Sequence, residues 1–212
     1  MIDVYAFATP NSVKIPIAFE ELAQPYRLIG VNVRKGEQSK PEFLALNPNG
    51  KVPVVIDPQG PDGKAITIAE SGAILIYLAE KFGGLLPKDP RERVRCLEWL
   101  FFQVAGLGPM FGQSGYFLRS APQKPAFALE RYTGEAKRHL AVFDQHLAHH
   151  EWAAGQTYSI ADIALFGWIW RREFAGVNLD DKPHVARWFE AMEQRPAVKK
   201  AVEKVGNLVP AT

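Results

Sequence analysis

The chain has 212 residues, enough for one large domain or two small ones. It is 47% hydrophobic and 23% charged, and its formal charge is +2 from 25 basic and 23 acidic residues; with no basic stripe interleaved with aromatics, nucleic acid is not an expected partner. The apolar runs are short and broken by Pro, Gly or charge, so no membrane span is expected, and "MIDVYAF" reads as a first strand rather than a signal peptide.

"IDVYAF" is a short strand, and "SVKIPIAFEELAQ" is a mostly one-sided helix with Pro16 near its first turn. "YRLIGVNV" is a second strand. "KPEFLALNPNG" starts a short helix and ends in a strong turn signal. "VPVVID" and "AITIA" pair as a hairpin across "PQGPDGK", and "ESGAILIYLAEKFGG" is a helix stopped by Gly83 and Gly84. The order β-α-β-α-β-β-α makes a small mixed sheet covered by helices, which is the order of the thioredoxin-like fold.

From about Arg91 no convincing strand appears. "RERVRCLEWLFFQVAGLGPMFGQSGYFLR" is a long helical pattern expected to kink at Gly106–Pro109. "PAFALERYTGEAKRHLAVFDQHLAHH" is a second long helix. "SIADIALFGWIWRREF" is a third, apolar enough for burial, with Ser159 and Asp162 as a variant capping box. "HVARWFEAMEQR" and "AVKKAVEKV" are shorter helices. The expected division is therefore an α/β domain over 1–83, a linker at 84–90 ("GGLLPKDP" spans it), and an all-helical domain over 91–212.

The single cysteine, Cys96, allows no intramolecular disulfide and no cysteine-based metal site; it fits a reducing, cytoplasmic setting and reads as a packing residue. His146 and His150 lie one helical turn apart, but no third ligand accompanies them, so a solvated face is expected and no metal.

Three turns of the first half should converge at strand ends beside helix starts. The first holds Thr9, Pro10, Asn11 and Ser12. The second is Val52–Pro53; a cis bond there would turn the Val52 N–H and C=O towards the cleft, where an extended peptide could pair with them, whereas a trans bond leaves a plain strand start. The third is Glu70–Ser71, which could take a carboxylate and an ammonium or be an ordinary helix cap. Together they suit a small peptide-like ligand. The first turn has no thiol, histidine or carboxylate, so its use would be to stabilise an anion carried by that ligand, a thiolate above all. Moving a thiol from a pKa of ~8.5 to ~6.5 needs roughly 2.7 kcal/mol. A helix terminus supplies about 0.3–1 kcal/mol and one hydrogen bond to a charged acceptor about 1.5–3 kcal/mol. One donor, Thr9 or Asn11, together with the helix start is enough. Read singly, the same residues shape and cap the turn.

"NPNGKVPVVID", "ITIAESGAILIYLAEKFG", the helical second half and "YSIADIALFGW" resemble the cytosolic glutathione S-transferases over essentially the whole length. "TPNSVK", "KPEFLALNPNGKVP", "WLFFQVAGLGPMFGQ" and "ALERY" resemble the nu-class branch of that family, the bacterial disulfide-bond oxidoreductases. The resemblance implies a thioredoxin-like domain followed by an all-α domain, glutathione as co-substrate with no metal, and a two-fold homodimer. It places Thr9 and Asn11 near the glutathione sulfur, Val52 with Pro53 on the cysteinyl backbone, and Glu70 and Ser71 at the γ-glutamyl end. It also brings Gln38 and Arg131 to glutathione and Lys51 beside the glycyl carboxylate. The branch commonly has Gly where this chain has Ser12, whose hydroxyl could itself point at the sulfur.

The implied activity is glutathione-dependent disulfide reduction without a protein cysteine. The alternatives are conjugation of electrophiles or reduction of organic hydroperoxides, and, from a different class, a non-catalytic glutathione-binding regulator. The electrophile pocket is expected around Gly108–Tyr116, with Phe111 and Tyr116 as candidates that read equally well as core.

Overall fold

A computed structural model of the chain describes residues 1–209. By contact the chain divides into two units, Met1–Leu85 joined by the segment from Arg195, and Leu86–Gln194.

In the first unit the elements run β1 (Ile2–Ala6), α1 (Lys14–Glu21), β2 (Tyr26–Gly30), α2 (Pro41–Leu44), β3 (Val54–Asp57), β4 (Ile66–Ala69) and α3 (Ser71–Phe82). This is the order read from the sequence. The sheet order is β2-β1-β3-β4. β1 pairs in parallel with β2, Val4 opposite Leu28, as a βαβ crossover requires. β3 is antiparallel to both β1 and β4, with Val54 opposite Tyr5 on one side and Ala69 on the other. Val4, Val54 and Val55 are fully buried, as are Ile15, Ile17, Ala18 and Phe19 of α1 and Ile74, Leu75 and Leu78 of α3, and α3 packs on both α1 and β4. The thioredoxin-like arrangement is thus present, and it brings the ends of β1 and β3 and the start of α3 to one edge.

The last helix of the chain, α9 (Pro196–Gly206), packs on α1. In sequence it follows the helical half, but its apolar Val198, Ala201 and Val205 are buried, and its basic residues meet two acids of α1. Arg195 donates twice to the Glu21 carboxylate, at 2.6 and 2.9 Å, while Lys200 and Lys204 pair with Glu20 at 2.7 and 2.6 Å. These contacts, not chain order, assign the segment from Arg195 to the first unit.

The second unit is helical: α4 (Pro90–Phe101), α5 (Gly108–Gly115), α6 (Ala126–Leu147), α7 (Ile160–Ile169) and α8 (Pro183–Gln194). Where the sequence predicts a kink, Phe102–Leu107 forms wide π-type turns that carry α4 into α5, a known way of bending a helix without breaking it. α7 begins with the expected capping box. Asp162, fully buried, accepts from the backbone N–H groups of Ala153 (2.8 Å) and Ser159 (2.9 Å), and from the Trp188 indole (2.9 Å). Cys96 is fully buried, and burial pushes its thiol pKa up, as suits a packing residue. Phe111 is also fully buried, so it belongs to the core and not to a pocket; Tyr116 is exposed.

Candidate functional site

The chain leaves β1 at Ala6 and turns through residues 7–13 before entering α1. Two hydroxyls build this turn. Ser12 N–H donates to Thr9 Oγ1 at 3.2 Å, and Thr9 Oγ1 donates to Ser12 Oγ at 2.9 Å. Phe7 N–H points at the same Ser12 oxygen at 3.4 Å. Ser12 is fully buried, so its hydroxyl faces into the turn and backs Thr9.

β3 is preceded by the Asn-Pro-Asn-Gly turn. Asn47, buried, donates from Nδ2 to the Lys51 carbonyl at 2.8 Å and accepts from Asn49 N–H at 3.1 Å, which fixes the approach to Val52 and Pro53. The Val52–Pro53 bond is cis. At the start of α3, Glu70 has φ 68°, a left-handed conformation that costs a non-glycine residue on the order of 1–3 kcal/mol and is typical of a binding position. Ser71, the first residue of that helix, is buried.

These three stretches enclose a cavity of about 260 Å³ lined by Asn11, Asn47, Asn49, Lys51, Val52, Pro53, Glu70 and Ser71. Its wall carries one cation, one carboxylate, three amides and a hydroxyl beside a strand end, the mixture that an extended zwitterionic peptide requires. Six residues proposed from the sequence thus meet in one cavity: Asn11, Lys51, Val52, Pro53, Glu70 and Ser71. Thr9 and Ser12 form the turn behind Asn11. Gln38 is half-buried with its carbonyl by the Gly50 turn, and its Oε1 is buried without a hydrogen-bond partner among the described residues. Arg131 is exposed on α6 of the second unit.

Asn47 and Asn49 were legible only as turn formers. Lys14 was missed altogether. It is 1% exposed, and its Nζ donates to Asn11 Oδ1 at 2.9 Å and Ser71 Oγ at 3.2 Å. Burial pulls its pKa down to about 7, with the Glu70 carboxylate acting in the opposite sense. No group of three or more His, Cys, Asp or Glu that could hold a metal occurs among the described residues.

The glutathione S-transferase N-terminal domain model matches residues 8–81, the span of this cavity, and the C-terminal domain model of the same family matches 105–196. The chain belongs to the glutathione S-transferase family. It is 45% identical over 207 residues to the disulfide-bond oxidoreductase YfcG of Escherichia coli, covering 96% of this chain and 95% of the relative. A second E. coli disulfide-bond oxidoreductase, YghU, is 37% identical, with 94% and 73% covered. A glutathione transferase family member from Pseudomonas fluorescens, solved with two glutathione bound, superposes with a TM-score of 0.90 at 43% identity, over 95% of this chain and 92% of the other. A Pseudomonas putida glutathione transferase, with one glutathione disulfide bound per subunit, gives 0.89 at 40% identity, over 95% and 90%. The resemblance to the nu-class branch of this glutathione S-transferase family is therefore borne out.

Proposed function

We propose that this glutathione S-transferase binds glutathione in the cavity of its first unit and uses it to reduce disulfides. The observation that carries the reading is the meeting of Asn11, Val52–Pro53 and Glu70–Ser71 around one polar cavity, in a chain whose only cysteine is buried in the helical unit. Such a site can hold and ionise a thiol but has none, so the sulfur comes with the ligand. The relatives' bound glutathione and glutathione disulfide support the same ligand here.

In this reading the glutathione thiolate attacks one sulfur of a substrate disulfide. A mixed disulfide forms and one substrate thiolate leaves. A second glutathione thiolate then attacks the glutathionyl sulfur, releasing the other substrate thiolate and glutathione disulfide. Two electrons pass from two glutathiones to the substrate, and the two departing thiolates take up the two protons. The protein orients the sulfur and stabilises its charge through Asn11 and Thr9, with Ser12 behind Thr9. Lys51 would meet the glycyl carboxylate, and Glu70 with Ser71 the γ-glutamyl end. The parts given to Gln38 and Arg131, and the homodimer, rest on the resemblance.

The test compares glutathione-dependent reduction of hydroxyethyl disulfide with conjugation of chlorodinitrobenzene at equal enzyme concentration. Disulfide reduction should dominate by at least about tenfold in kcat/KM, roughly 1.4 kcal/mol of transition-state preference. Conjugation faster than reduction would replace the assignment with a conjugating transferase. Glutathione binding with neither turnover would replace it with a binding protein.

A further inference from the structure

A lysine that is 1% exposed and bonded to two residues bordering the cavity calls for a reason, because a buried ammonium is costly unless it is paired and hydrogen-bonded. Lys14 sits at the first position of α1, and its Nζ bridges the first turn and the α3 start, to Asn11 Oδ1 at 2.9 Å and Ser71 Oγ at 3.2 Å. Nζ donates in both bonds, so Asn11 Oδ1 and Ser71 Oγ accept. The side-chain amide of Asn11 has one accepting and one donating end. With its oxygen held by Lys14, any hydrogen bond made from the other end is a donation.

We propose that Lys14 is the positioning residue of the thiolate site: it fixes the amide of Asn11 so that the NH₂ end is presented to the ligand's sulfur, and it ties that turn to Ser71, which holds the other end of the same ligand. This rests on the glutathione reading and deepens it. Without Lys14 the amide can turn over and present its oxygen, which repels a thiolate. The bridge also couples the two ends of the ligand, because Asn11 and Ser71 border the cavity 60 positions apart in the sequence yet share one ammonium. The Glu70 carboxylate, beside Ser71, acts on Lys14. Two helices pack against α1: on the α9 side Arg195, Lys200 and Lys204 are engaged with Glu20 and Glu21, and on α3 Lys81 is engaged with Asp57.

The experiment measures the acidity of bound glutathione by thiolate ultraviolet absorbance against pH, together with disulfide reductase kcat/KM, in the wild type, Lys14→Met, Lys14→Arg, Asn11→Ala and the Asn11→Ala/Lys14→Met double variant. Methionine matches the buried stem and needs no solvation. Lys14→Met should raise the bound thiol's pKa by about one unit or more, lowering kcat/KM about tenfold near neutral pH and much less at alkaline pH, where the thiol ionises unaided. Lys14→Arg should restore part of the loss. In the Asn11→Ala background, Lys14→Met should have little further effect on the thiol. A wild-type-like thiol pKa in Lys14→Met, or full additivity with Asn11→Ala, would overturn the proposal while leaving the glutathione reading intact. So would a Lys14→Met protein that does not fold, since Lys14 would then be structural. A wild type that leaves the thiol at its free acidity would overturn both.

Discussion

Asn11 and Thr9 offer a thiolate different things. Thr9 gives its hydroxyl proton to Ser12, so a sulfur that takes that proton requires Ser12 to turn and donate back to Thr9. Such a chain of two hydroxyls polarises the outer one but must rearrange first. Asn11 borders the cavity with its oxygen already held. Asn11→Ala should therefore lower disulfide-reductase kcat/KM by about ten- to a hundredfold, the worth of one hydrogen bond to a charged acceptor, and Thr9→Ala by less. Steady-state kinetics of the two variants at neutral pH decides the order; an unimpaired Asn11→Ala enzyme contradicts it. Lys14 also makes the stability of the fold depend on pH. Its folded pKa of about 7 lies below the ordinary 10.5, so the folded state releases a proton that the unfolded chain keeps. Its stability contribution is full above pH 10.5 and is lost as pH falls through about 7. Lys14→Met should flatten that slope and raise the urea midpoint at pH 7 relative to the wild type; a parallel pH dependence in both proteins would contradict the burial argument. Thr9, Asn11, Val52 and Glu70–Ser71 were legible because turn formers and helix starts announce themselves by residue type. Lys14 was not, because a lysine early in an amphipathic helix reads as a solvated face, and only the fold shows that residues 12–19 are all buried.

Among the single elements, α7 is held by a carboxylate that serves more than its own cap. Ser159 and Asp162 announced a cap in the sequence, but the sequence could not show that Asp162 also takes the indole of Trp188 and the N–H of Ala153. Those partners come from outside α7. Asp162→Ala leaves several buried donors unsatisfied at about 1–3 kcal/mol each, against a total stability of about 5–15 kcal/mol. The thermal midpoint should drop by about 10 °C or more by calorimetry; a drop below about 2 °C would show that water replaces the carboxylate. The α4–α5 junction shows the opposite limit. Gly and Pro at 106–109 signalled a bend but not its form, and the chain keeps winding through wide turns. Gly115 is legible only in three dimensions: a Cβ there would lie 1.9 Å from Phe174, so any side chain must displace that ring. Phe111 had no period that separates core from pocket, and packing placed it in the core.

For the whole chain, the assignment of α9 to the first unit could not be read from sequence order, because charge pairing with α1 is a matter of partners 174 to 184 positions apart. Burial opposes the ionised Glu20, but hydrogen bonds from Lys200, Lys204 and Tyr26 outweigh it and hold its carboxyl below the ordinary 4.5. Its contribution is complete above pH 4.5 and is lost as pH falls through the lower folded value. Glu20→Gln should narrow the difference in urea midpoint between pH 7 and pH 3; an unchanged difference would mean that the clamp contributes nothing.

The proposed disulfide chemistry depends on the ligand's sulfur being ionised at the end of β1. Titration of bound glutathione by its ultraviolet thiolate absorbance tests this most directly. The apparent pKa of bound glutathione should lie near ~6.5, about two units below the free thiol. A bound thiol that titrates at its free value of ~8.5 would contradict it.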